Sequence, residues 1–311
     1  MRKKASRRKY PGLIELAEPS RTVFGTLEFL SSATTPFAVI GVDCTIPTTP
    51  VMLNPLAPGW ELASALSWSA TISYTSNGRN DSVSFQGMSD VWSPIQIDFQ
   101  GNVQGGIITL SISAPVVDSA TGKKDVLQWG QSSTIIGTYP IQNSLIRQYV
   151  GDLTYQVLAY VESRFQQFLS DGSPKFGNPK GFGVMQLDKA PVTARQIWDW
   201  MQNADEGKRR FVAGNGNVIQ HYANLKKTSP SLRALLQDEI LTASFTYYNG
   251  GPRKELPGMG FYYVPAASND DWVRNPNPTG DAALNRALDY GDNAMSTLMA
   301  VQNDHPPVDW G

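Results

Sequence analysis

The chain has 311 residues, 41% of them hydrophobic and 17% charged, with a net charge of -1. It is long enough for two hydrophobic cores, too apolar for disorder over most of its length, and lacks the charge excess that draws a protein to nucleic acid. Two histidines far apart and a single cysteine, Cys44, exclude a disulfide and argue against a zinc site, and no run approaches the ~20 apolar residues of a membrane span.

Six of the first nine residues are basic. Tyr10-Pro11-Gly12 and the charge-broken Leu13-Ile14-Glu15-Leu16 follow, where a signal peptide needs an apolar run of roughly 7 to 15 residues. Residues 1–21 therefore read as a solvated basic tail and linker without an export signal.

From about Phe37 to Tyr139 apolar side chains recur at every second position, as in Leu66, Trp68, Ala70, Ile72 and Tyr74, and again in Ile108, Leu110, Ile112 and Ala114. That period predicts half-buried strands. Asn77-Gly78 and residues 118–122 supply turn chemistry, and short strands at this spacing predict an antiparallel sandwich over residues 22–139. An immunoglobulin-like domain fits, without the inter-sheet disulfide of antibody domains because Cys44 has no partner. Cys44 itself lies in an alternating apolar run and reads as a buried thiol.

After Tyr139 the period changes. Leu153, Val157, Val161, Phe165 and Phe168 share one helical face, which predicts a helix over about 144–168. Further helices are predicted over about 193–203, 218–225, 231–247 and 281–302, so residues 140–311 read as a mainly α domain. In the first of these helices Glu162 has Leu158 four residues before it and Phe165 three after. Apolar flanks strip hydration from a carboxyl, disfavour its charged form and raise its pKa toward the range where it can donate a proton near neutral pH. Taken alone, the residue also fits a boundary glutamate with its tip in water.

Three short motifs follow in order: Tyr160-Val161-Glu162-Ser163-Arg164-Phe165, then Gly181-Phe182-Gly183-Val184-Met185-Gln186-Leu187, then Phe245-Thr246-Tyr247-Tyr248-Asn249-Gly250-Gly251. Together they resemble the lysozyme-like lytic transglycosylases, with their Glu-Ser pair, Gly-Leu-Met-Gln type turn and Ala-Tyr-Asn type motif. Asp188, directly after the turn, makes the stretch similar to goose-type lysozymes of the same fold.

The resemblance implies cleavage of the β-1,4 bond between N-acetylmuramic acid and N-acetylglucosamine in peptidoglycan, with Glu162 as general acid. It implies that Ser163, Gly183, Met185, Gln186, Tyr248 and Asn249 line the sugar site, with Met185 and Gln186 touching the sugar. No cofactor or metal is implied. Two chemistries stay open: a lyase in which Glu162 works alone and leaves 1,6-anhydro ends, or a hydrolase in which Asp188, or else Asp171, positions water. A non-catalytic wall-binding or structural component is the third alternative. With no export signal expected, such a protein is made in the cytoplasm and delivered to the periplasm or cell wall, as an antibacterial effector or a virion lysin. Its expected partners are peptidoglycan strands, delivery machinery and, for a toxin, an immunity protein.

Overall fold

The computed structural model describes residues 36–76, 79–177, 181–188, 192–250, 261–268 and 270–311. The basic tail, Asn77-Gly78 and Gly251 lie outside the described residues. The chain is a mixed α and β protein, β-rich first and α-rich afterwards, and divides into two compact units, Met1–Thr138 and Tyr139–Gly311. No helix among the described residues is long and apolar enough to cross a membrane.

In the first unit the strands are β1 (Ala38–Ile40), β2 (Thr49–Val51), β3 (Trp60–Leu62), β4 (Leu66–Ser76), β5 (Arg79–Ser89), β6 (Ile95–Ile97), β7 (Gly106–Asp118) and β8 (Lys124–Gly137). Five of them form the sheet path β1-β8-β7-β4-β5, β3 adds to β7, and β2 pairs with β6 in a separate ribbon. Neighbours are antiparallel except β1 and β8, which run parallel and so cannot be joined by a hairpin. The expected alternation is present. Leu66, Trp68, Ala70 and Ile72 of β4 and Ile108, Leu110, Ile112 and Ala114 of β7 are buried. Phe99, just after β6, meets the rings of Phe85 and Phe37 edge-on and helps close the core. On the other face, hydroxyls of paired strands bond each other, Thr71 with Ser84 at 2.9 Å and Thr109 with Ser132 at 3.0 Å. Cys44 is buried, in a turn at φ 59° and not within a strand.

The second unit holds α1 (Asn143–Val150), α2 (Leu153–Ser163), β9 (Phe176–Gly177), β10 (Gly181–Phe182), α3 (Ala194–Trp198), α4 (Trp200–Thr228), α5 (Gln237–Gly250), β11 (Tyr263–Pro265), β12 (Trp272–Arg274) and α6 (Ala282–Gln302). The single helix predicted over 144–168 is two. Gly151, at φ 79°, ends α1, and Asp152 caps α2 by accepting from the Thr154 amide at 2.8 Å. α2 then stops at Ser163, so Phe165 and Phe168 leave the helical face that their spacing suggested.

Two helices expected over 193–203 and 218–225 are instead the short α3 and one 29-residue helix, α4, capped by Asp199. Its glycines look like breakers but serve as contact points. A Cβ on Gly207 would stand 2.3 Å from Met185 Cγ, and one on Gly214 would stand 2.9 Å from the Tyr247 ring. The helix predicted from 231 begins only at Gln237. Arg233 is held outside it by Glu239 and Asp271, and Glu239 caps the start by accepting from the Leu236 amide at 2.7 Å.

Candidate functional site

Glu162 is the penultimate residue of α2. Beyond Ser163 the chain reverses through Arg164 at φ 60° and Phe165 at φ 59°. Left-handed backbone at two successive residues with side chains costs of order 1–3 kcal/mol each, so the surrounding contacts must enforce it. Lys175 Nζ donates to the Ser163 carbonyl at 2.7 Å, and the Ser163 hydroxyl accepts from the Gln166 amide and donates to the Ala159 carbonyl, both at 3.1 Å.

The turn 181–188 is braced from below by two buried amides. Gln167 Oε1 accepts from the Val184 amide at 2.9 Å while its Nε2 donates to the Ile197 carbonyl at 2.7 Å. Asn203, from α4, accepts from the Met185 amide at 2.8 Å and donates to the carbonyls of Phe182 and Gln196, both at 2.9 Å. Gly183, at φ 72°, is required there, because a Cβ would stand 2.3 Å from Gln167 Oε1 and 2.7 Å from Asn203 Nδ2. Gln186, at φ 45°, folds its amide back to donate to the Gly183 carbonyl at 2.8 Å. From α5, the Tyr248 hydroxyl donates to the Met185 carbonyl at 2.9 Å.

These elements converge on one carboxyl. Glu162 is only partly buried as a residue, yet the protein crowding its carboxyl pushes the pKa up to about 8. Burial is the largest cause and the negative charge of Asp188 adds to it, while the Tyr290 hydroxyl of α6 favours the ionised form and opposes both. Among the described residues that buried hydroxyl makes no hydrogen bond of good distance and angle together. Tyr290 is nonetheless close enough for its hydroxyl to favour the Glu162 carboxylate as a donor. Burial, and then the charge of Glu162, hold the phenols of Tyr248 and Tyr290 well above their ordinary pKa, so both remain neutral donors. Arg210 opposes this at Tyr248 and is paired with Glu206 at 2.8 Å. Arg209 and Arg210 in turn hold the Glu206 carboxyl at about 2.

The site thus brings together Glu162, Asp188, Tyr248 and the backbone of Met185 and Gln186, and several sequence expectations change. The Met185 side chain is fully buried against Gly207, so it presents no surface to a ligand. What Met185 contributes is its carbonyl. Ser163 points inward as a helix-end hydroxyl, and the missing side chain of Gly183 leaves room for the amides of Gln167 and Asn203. Asn249 is exposed at the end of α5, while Asp171 is spent on a local turn, accepting from the Ser173 amide at 2.9 Å and hydroxyl at 2.6 Å. Asp188 is exposed. Among the described residues no cluster of three or more His, Cys, Asp or Glu could hold a metal.

Gln167, Asn203 and Tyr290 escaped the sequence reading. Buried amides look like surface residues in a sequence, but Tyr290 left a trace in its neighbour Gly291. A Cβ at Gly291 would stand 2.1 Å from Thr246 Oγ1, so the glycine lets α6 approach α5 closely beside the carboxyl. Compared with known family models, curated proteins and solved structures, the chain matches none.

Proposed function

We propose that the chain cleaves glycan strands of peptidoglycan at the β-1,4 bond between N-acetylmuramic acid and N-acetylglucosamine, through a lysozyme-like unit over residues 140–311 that follows an immunoglobulin-like sandwich over 22–139. The observation that carries this reading is Glu162: a partly buried carboxyl, protonated at neutral pH, flanked by a second carboxylate and two neutral phenols. That is the chemistry of a general acid.

Glu162 donates its proton to the glycosidic oxygen as positive charge develops at the anomeric carbon. As carboxylate it then takes the proton of the muramyl C6 hydroxyl, whose oxygen attacks the same carbon and closes a 1,6-anhydro ring. No water is consumed. Tyr290 stabilises Glu162 while it is charged, and the neighbouring Asp188 favours its return to the protonated form. The lyase is preferred to the hydrolase because it needs one carboxylate at the reacting centre, and burial raises the Glu162 carboxyl to about 8, where it can act alone as acid and then base. Delivery to the cell wall as an antibacterial effector or virion lysin, with an immunity protein in the former case, belongs to the same reading.

The test is mass spectrometry of peptidoglycan digested by the full chain. Anhydro muropeptides, lighter than hydrolysed ends by one water, are expected from the wild type and absent with Glu162→Gln. Unchanged release by Glu162→Gln overturns the assignment.

A further inference from the structure

The strained turn after Glu162 is gripped by a segment far away in sequence. Trp310 is buried and packs on Phe165 at 5.3 Å between ring centroids and on Tyr160 at 5.2 Å, with the Arg147 guanidinium over it at 5.9 Å. Beside it, Asp309 accepts from the Tyr160 hydroxyl at 2.5 Å and pairs with Arg164 at 3.2 Å, while its carbonyl accepts from Asn143 Nδ2 at 3.0 Å. Arg164 also contacts the Tyr160 hydroxyl and lies over its ring. Tyr160, Arg164 and Phe165 all belong to the last turn of α2 and the reversal that follows. Both left-handed residues, Arg164 and Phe165, are therefore tied to the same pair of residues, Asp309 and Trp310.

We propose that Asp309 and Trp310 are positioning residues: they clamp the end of α2 in its left-handed reversal and so hold the Glu162 carboxyl in the crowded place where it can act. The proposal rests on the functional reading above for its catalytic consequence, though not for its structural one. Neither residue touches Glu162. They act through Tyr160 and Phe165, which lie two residues before it and three after. When the clamp is released, the reversal relaxes toward ordinary backbone, the last turn of α2 frays, and water reaches the carboxyl. The groups facing Glu162 from the other elements stay in place: Asp188 from the turn, Tyr248 from α5 and Tyr290 from α6, with Arg210 and Glu206 of α4 behind Tyr248. A change at Glu162 then reports the clamp and not a lost neighbour.

The experiment is a ¹³C-carboxyl NMR titration of Glu162 in the full chain, alongside thermal melting, for the wild type, Trp310→Phe, Trp310→Ala and Asp309→Ala. The titration needs no activity, so it separates failure of the clamp from failure of the peptidoglycan reading. In Trp310→Ala the Glu162 midpoint is expected to fall by about one pH unit or more toward the ordinary carboxyl range, with Trp310→Phe largely restoring it. On peptidoglycan the same variant should lose about 10²-fold in kcat with little change in KM, since a small misplacement of a catalytic group costs that much. A folded Trp310→Ala whose Glu162 titrates as in the wild type overturns the proposal. If Trp310→Ala does not fold, Asp309→Ala decides: a lowered midpoint supports the clamp, and a wild-type midpoint in a folded Asp309→Ala overturns it.

Discussion

Strands β4 and β7 and the turn 181–188 solve one problem in opposite ways. Along β4 and β7 each backbone group finds its partner on the neighbouring strand, in a register that runs unbroken from Ser67↔Ser113 to Ser73↔Ile107. In the turn the Val184 and Met185 amides and the Met185 carbonyl reach instead to the side chains of Gln167, Asn203 and Tyr248. A ladder shares its load among many equivalent bonds. The turn depends on a few buried polar side chains, each of which carries several bonds, and the candidate chemistry sits there. Single substitutions should therefore be mild in the sheet and severe around the turn.

The largest expected effect is on the reaction. Glu162→Gln keeps the size of the side chain but cannot donate the proton, and removing a general acid typically costs about 10² to 10⁴ in rate. Turbidity loss of purified peptidoglycan at the wild-type rate would remove Glu162 from the reaction. Next comes Asn203→Ala, which strands the buried Met185 amide, takes a donor from the Gln196 carbonyl, and leaves the Phe182 carbonyl with the Leu187 amide alone. At about 1–3 kcal/mol for an unsatisfied buried group, and less for the part-buried carbonyl, a loss of roughly 2–4 kcal/mol in urea unfolding is expected. Thr109→Ala, on the exposed face of β7, should cost no more than about 0.5 kcal/mol. Equal losses for the two would refute the contrast between ladder and turn.

Glu162 also ties stability to pH. Its pKa stands at about 8 in the folded chain against the ordinary 4.5, so across that window the folded state holds more protons than the unfolded one. Stability must then decline as pH rises from 4.5 toward 8 and level off above, by at most roughly 5 kcal/mol. Glu162→Gln has no proton to lose. Its unfolding free energy should match the wild type near pH 4 and exceed it near pH 9, and a constant difference at both would mean that the carboxyl is not held neutral.

The same contrast explains what could be read in advance. Leu66 to Tyr74 and Ile108 to Ala114 announced strands because a half-buried sheet face imposes period 2 on its own sequence. Glu162 could be singled out because its apolar flanks are near in sequence, and the motifs around Gly181 and Tyr248 because they are compact. The break at Gly151-Asp152 also carried local signals, a C-cap glycine followed by an N-cap aspartate, which the longer apolar stripe overrode. Gln167, Asn203 and the inward turn of Met185 could not be seen, because each is decided by a partner 17 to 18 residues away, or by Gly207 on another helix. Asp309 and Trp310 are further still from the helix that they hold.

The smallest expected effect concerns Asp188, and it is the one that separates the two chemistries. Asp188 is exposed, and its charge is a lesser cause, after burial, of the raised pKa of Glu162. In the lyase, Asp188→Asn removes that repulsion and nothing else. The pH at which activity falls away should move down slightly, the loss in kcat/KM at neutral pH should stay within about tenfold, and the products should remain anhydro muropeptides. In a hydrolase, Asp188 would activate water in the same transition state in which Glu162 gives its proton, so Asp188→Asn should then cost nearly as much as Glu162→Gln, and the wild-type products should carry reducing ends. Anhydro products together with a severe Asp188→Asn defect would contradict both accounts. They would mean that this exposed carboxylate supports the turn 181–188, and that the turn needs a brace on its open side as well as the two amides beneath it.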